Sequence, residues 1–283
     1  MRVLSDFWRI CRSDKGALVG GVICLVYVFF AIFGPILMTA GQVQDPSQSY
    51  LGPSWKHPLG TDFGGNGIAA EIIVGTRPIM EVGVLAAIAT VFVGVVVGLG
   101  SGYIGGVADS AIMRLVDIVL AIPGLPLIIV ITSVVHTSNP FVLAGILSVT
   151  AWAGLARAVR SQALSLRNSG FIEAARMQGL PLRHMVLRQL VPNVGPYVAI
   201  HFLLTITGAI YAEVGLFLLG VAPTNGTNWG TMINLAMGQG ALYTSKSMLY
   251  VLAPMAAIVI LQVSFVFFSR ALDQLFNPRL RVR

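Results

Sequence analysis

Six long apolar runs decide what this chain can fold into. Residues 17–39, 83–104, 113–135, 141–157, 197–221 and 248–268 each approach or exceed the roughly 20 apolar residues that cross a bilayer as a helix. Only 10% of the 283 residues are charged and 56% are hydrophobic, against about 25% charged in an average soluble domain. So few charges cannot cover that much apolar surface in water, so lipid is the solvent. In lipid every backbone N–H and C=O must be satisfied internally, which makes each run a helix. The fold expected is an all-α integral membrane protein with six transmembrane helices. The first run is too long for the apolar part of a signal peptide and lacks a clear small-residue cleavage site, so it reads as a retained span.

Basic residues orient the spans. With the N-terminus placed inside, all 18 Lys and Arg except Lys56, Arg77 and Lys246 fall on the inner side, the asymmetry expected of cytoplasmic segments. Both termini are therefore expected in the cytoplasm of a multi-pass plasma (inner) membrane protein. The formal charge of +7 suits anionic lipid head groups. No groove-reading motif accompanies the scattered basic residues, so no nucleic acid partner is expected. Outside lie two loops, 40–81 and 222–246. The division expected is a cytoplasmic segment 1–16, a first span with its outer loop 17–79, a membrane domain 80–272, and a basic cytoplasmic tail 273–283.

The segment FIEAARMQGLPLRHMVLRQLVPN, residues 171–193, breaks the apolar pattern. It lies in a cytoplasmic loop, 158–196, far longer than the usual helix connection of about 2–8 residues. Glu173 suits a helix first turn, Ala174 and Ala175 are strong helix formers, and Gly179 can take the left-handed conformation that stops a helix, with Pro181 opening the next. The expectation is a short helix, a sharp turn and a second short helix. Leu182, Met185, Val186 and Gln189 or Leu190 make one face of the second helix and the basic residues most of the other. Such an element suits either a membrane surface or a groove on a partner protein.

Within the spans, the glycine-rich run 94–106 offers small residues at helical spacing for close helix approach. Pro123 and Pro126 should kink the third span, as packing geometry or as part of a pathway. Asp117 and Glu213 are the ionisable residues placed well inside spans, where charge is costly and suggests function. Arg114, three residues before Asp117, is its expected ion-pair partner. For Glu213 three uses stay open: a hydrogen bond to another span, a place facing a pathway, or a proton carrier. Cys11 and Cys24 have no metal-like spacing and read as ordinary small residues. His57, His136, His184 and His201 are too dispersed for a metal site, so no metal ligands are assigned.

Glu173-Ala174-Ala175, three residues, Gly179, an apolar pair and then Pro192 resembles the EAA motif of ABC importer permeases. Upstream, Trp152, Ala156-Arg157, Val159-Arg160, Gln162 and Leu164-Ser165-Leu166 are similar to the dipeptide, oligopeptide and nickel permease family. So are Pro192-Asn193, AEVGLFLLGVAP (212–223), NWG (228–230), HPLGTD (57–62) and GYIGGVADSAIMRLVDIVLAIP (102–123). The likeness is closest to the second, C-type permease of the pair. After HPLGTD that family usually continues Gly-Arg-Asp and then Ser-Arg, where this chain has Gly65-Asn66-Gly67 and Ala70-Glu71.

The resemblance implies a type I ABC importer permease fold and a non-catalytic subunit. Its expected task is to form half of the pathway for di- or oligopeptides; nickel or oligosaccharides are alternative cargoes of the same machinery. The implied partners are a second homologous permease, two ATPase subunits and an extracytoplasmic substrate-binding protein. Glu173, Ala174, Ala175, Gly179, Leu182 and Pro192 would form the ATPase contact, and Glu213, Asp117 and Pro123 would serve the pathway or helix packing. The chain has no phosphate-binding loop, so no cofactor is expected here, and ATP and magnesium would be held by the ATPases. Two other classes compete. A proton-coupled secondary transporter would rest on Glu213, though no convincing internal repeat appears. A membrane enzyme would rest on His57 and Asp62, which lack a nucleophile motif.

Overall fold

The computed structural model describes residues 15–38, 45–223, 226–243 and 247–276, and among these it is helical except for loops and one isolated bridge between Thr61 and Gly67. The helices are α1 (Lys15–Leu37), α2 (Ile68–Ile104), α3 (Gly106–Ala121), α4 (Gly124–Val135), α5 (Pro140–Arg167), α6 (Gly170–Met177), α7 (Val191–Leu218), α8 (Trp229–Gly238) and α9 (Met248–Phe276). Among the described residues five helices are long and apolar enough to cross a membrane, or six when the bent pair α3 and α4 counts as one. Each of the six apolar runs thus finds its helix or helix pair.

The run 113–135 is broken rather than kinked: α3 and α4 meet at 79°. Pro123 excludes the helical conformation at the residue before it, and Ile122 is accordingly extended (φ −79°, ψ 126°). Pro123 caps α4, while Pro126 sits in its first turn, where a missing N–H costs nothing.

α2 is the central post, packed against α1, α5 and α7. Its contact with α5 depends on three glycines one helical turn apart. A Cβ on Gly94 would lie 3.0 Å from the Leu155 side chain, one on Gly98 2.5 Å from the Ala156 carbonyl oxygen, and one on Gly102 2.8 Å from Ala163 Cβ. Without a hydrophobic drive in lipid, such close backbone approach and its dispersion contacts hold helices together. α1 lies at the edge, exposing Leu25 and Ile36, and is fixed to α9 by the Tyr27 hydroxyl donating to the Ala257 carbonyl at 2.8 Å. Cys24 approaches Ser264 on α9 at 3.2 Å, an ordinary packing contact; Cys11 lies outside the described residues.

Two loops are shorter than expected. α2 begins at Ile68, so the latter part of 40–81 is helix, and α5 continues to Arg167, so the loop expected from 158 contains one irregular joint before α6. In both places charged or polar residues lowered the apparent hydropathy of what is still helix.

Candidate functional site

At one end of the bundle, α6 lies across α5 and α7. Ile172 (0% exposed) packs with Leu99, Val159, Leu190 and Val194 and Ala175 (4%) is buried beside it on the helix, whereas Glu173, Ala174 and Met177 face outward. The motif's two alanines therefore split their roles: Ala175 seats the helix and Ala174 belongs to the free face. α6 ends at Gly179, which has φ +69°. The Leu180 N–H reaches the Ala175 carbonyl at 3.2 Å, the long bond of a glycine-terminated helix.

The second short helix is not separate. A helical turn, Leu182–His184, runs into a wide turn, Met185–Leu190, and on into α7, so that Met185–Leu218 is one span. Pro192, exposed in the first turn of α7, supplies the reason: it has no N–H and its ring crowds the carbonyl four residues back, so the turn before it widens. Met185 and Leu190 are buried and Val186 and Gln189 half-buried, while Arg183 and Arg188 are exposed, which matches the expected two faces at these positions; the Leu182 side chain lies outside the described ones.

Two ion pairs lie nearby. Asp109, buried, accepts from Arg160 Nε at 2.6 Å and Nη2 at 2.5 Å and from the Ser101 hydroxyl at 2.8 Å. This bidentate clamp ties α3 to α5 and α2. Asp117 pairs with Arg157 on α5, both side chains exposed, and not with Arg114 as expected. The i, i+3 spacing allowed a partner within the helix, but α5 brings a guanidinium closer.

At the other end, residues 45–67 form a compact loop. Asp62 Oδ1 accepts from the backbone N–H groups of Gly64 (2.9 Å) and Asn66 (2.7 Å), and Oδ2 from Asn66 Nδ2 (3.1 Å). Asn66, standing where the resembled family usually has arginine, thus turns inward and closes the loop. Asp62, held by three donors of its own loop, organises the turn. The Asp45 carboxyl is held below its usual range by Ser47 and Gln48, whose side chains donate to it at 2.5 and 2.8 Å.

Trp229, fully buried, donates its indole N–H to the Ile72 carbonyl at 2.9 Å and meets Tyr27 edge-on. Asn228 caps α8 by accepting from the Gly230 N–H at 2.8 Å, and its Nδ2 donates to Glu213 Oε1 at 3.1 Å. Glu213 is 1% exposed. The asparagine and tryptophan of the NWG stretch therefore bind the loop to α7 and α2 respectively. Reasoning from sequence missed Glu71, also buried, and the Asp109 and Arg160 clamp. Glu71 falls before the expected start of the second span, and the clamp joins residues 51 positions apart.

A long helical bundle, a short amphipathic helix seated across one end and a polar loop clamped on the other define a polytopic transport component. Residues 94–282 match the model of the binding-protein-dependent transport system inner membrane component, and residues 3–53 match that of the N-terminal TM domain of oligopeptide transport permease C. The chain belongs to the binding-protein-dependent permease family: it is a multi-pass inner membrane subunit, non-catalytic, with the ABC importer permease fold. It is 33% identical over 233 residues to the dipeptide transport system permease protein DppC of Bacillus subtilis (strain 168), covering 81% of this chain and 72% of that one. It is 31% identical to the oligopeptide transport system permease protein OppC of the same organism, over 95% of this chain and 88% of that one. The glutathione transport system permease protein GsiD of Pectobacterium atrosepticum is 28% identical, over 98% and 91% of the two chains. Membership of this family sets aside the proton-coupled transporter and the membrane enzyme.

Proposed function

We propose that this chain forms half of the translocation pathway of an ATP-driven importer of di- or oligopeptides. The observation that carries the reading is α6: Ile172 and Ala175 anchor it while Glu173, Ala174 and Met177 stay exposed on one face, the arrangement of a helix that enters a partner's groove. Glu173, Ala174, Ala175, Gly179, Leu182 and Pro192 make up the coupling element, with Ala175 seating it on the bundle and Pro192 shaping the turn that joins it to α7. ATP and magnesium belong to two ATPase subunits, a second permease completes the pathway, and an extracytoplasmic binding protein delivers the cargo. The peptide and glutathione permeases among the relatives support a small-peptide cargo over nickel or oligosaccharides. Glu213 and the broken helix at Pro123 belong to the pathway side of this reading. Asp117, exposed and paired to Arg157, serves helix packing. Purification through a tag on this subunit is expected to bring down a second permease and ATPase subunits; a transport-active single species would contradict the proposal.

The topology that goes with it places both termini and α6 in the cytoplasm. After Cys11 and Cys24 are replaced by alanine, a membrane-impermeant maleimide added outside should label Trp55→Cys, in the outer loop, and spare Met177→Cys, on the free face of α6. Both positions are exposed, at 103% and 82%, so accessibility does not decide the result. Labelling of Met177→Cys alone would invert the topology.

A further inference from the structure

A cavity of about 380 Å³ opens at the loop end of the bundle, among α1, α2, α5 and α7. Its lining is mostly apolar, but four charged or amide side chains, Glu213, Glu81, Arg77 and Asn228, border it. Glu213 is nine-tenths buried and more, and while Oε1 accepts from Asn228, Oε2 has no hydrogen-bond partner among the described residues. Asn228 Nδ2 donates to Oε1, and its oxygen is turned to the Gly230 N–H. A buried carboxyl oxygen left unmatched is expensive unless a donor or cation arrives. Arg77 and Glu81, one helical turn apart on α2 and both exposed, form no ion pair among the described residues and stand on the same cavity.

We propose that this cavity is a subsite for a zwitterionic ligand, with Glu213 Oε2 and Glu81 taking an ammonium group and Arg77 a carboxylate. The inference deepens the importer reading and rests on it for the identity of the ligand. The cavity falls within the roughly 300–1,000 Å³ of small-molecule sites, and a guanidinium is the preferred fork for a carboxylate. Asn228, fixed as the cap of α8, holds Glu213 in place and so acts as a positioning residue.

The test is protection of Glu213 from dicyclohexylcarbodiimide in the purified complex with its partner subunits but without a binding protein, read by mass spectrometry of the adduct. The probes are trialanine, N-acetyl-trialanine, trialanine amide and N-acetyl-Ala-Ala-Lys. A ligand at roughly ten times its dissociation constant leaves about a tenth of sites free, so trialanine should slow modification about tenfold and N-acetyl-trialanine should not. Protection by N-acetyl-Ala-Ala-Lys assigns the subsite to any ammonium, and its failure to protect assigns it to the α-ammonium alone. Arg77→Gln should reduce protection by trialanine to the level trialanine amide gives the wild type. Equal rates with every peptide, equal protection by the acetylated and free forms, or no modification of Glu213 at all would overturn the subsite. Uptake into proteoliposomes separates the two readings: import without protection sinks the subsite alone, and protection without import of any peptide sinks the importer reading.

Discussion

Gly98→Leu prevents recovery of the folded subunit. The Cβ alone would lie 2.5 Å from the Ala156 carbonyl oxygen and 2.8 Å from Val159 Cβ, and neither atom is the end of a flexible side chain. α5 would have to move away from the central helix along the whole line of Gly94, Gly98 and Gly102. Overpacking of close-packed interiors costs roughly 1–3 kcal/mol, occasionally more, and here the strained partner is backbone, which places Leu at about 3 kcal/mol or above. Gly98→Ala should fall between the two. Gly100→Leu is the control, because a Cβ there meets nothing within 4 Å. Size-exclusion profiles and thermal denaturation in detergent decide the matter: a Gly98→Leu protein as monodisperse and as stable as Gly100→Leu would show that the interface does not depend on this approach.

Gly179→Leu acts by a different route and should leave the subunit folded but uncoupled. A Cβ at Gly179 meets nothing within 4 Å, yet its φ is +69°, a conformation that costs an L-residue roughly 1–2 kcal/mol. Relief of that strain opens the turn and redirects α6 relative to the wide turn that follows. Glu173→Lys tests the same face by reversing a charge in the first turn of α6, worth up to about 1 kcal/mol at an exposed position through the helix dipole and more where a partner's basic group loses its mate. Both variants should insert and assemble with the second permease, while substrate-stimulated ATP hydrolysis and uptake fall about tenfold, the equivalent of ~1.4 kcal/mol in coupling. Wild-type hydrolysis and uptake in both would reduce the segment to a membrane-surface helix.

What could be read from the chain was whatever local physics determines. Six apolar runs have no other stable solution in lipid, Gly179 followed by Pro181 is a local stop and start, and Gly94, Gly98 and Gly102 announce a close approach on one face. The features that escaped depend on distant partners. Glu71 and Arg77 made the start of α2 look like loop, although Glu71 is buried in the bundle and Arg77 stands on the cavity. Asp117 had a plausible neighbour in Arg114, and only the packing of α3 on α5 reveals Arg157 instead. Pro123 was expected to kink its helix, and the full break shows only in the extended Ile122.

The wide turn between His184 and Val191 also sets a phase. A wide turn holds one residue more than the regular helix spacing, and each residue of a regular helix advances the azimuth by about 100°. Everything on the α6 side of that turn is therefore clocked relative to α7 by the surplus residue, with Met185 and Leu190 both directed into the bundle although they stand five apart. Removing any one residue from Met185–Leu190 would leave a continuous helix of nearly the same length and hydropathy. It would also swing the free face of α6 by about a quarter turn about the span, so that the same side chains faced a different neighbour.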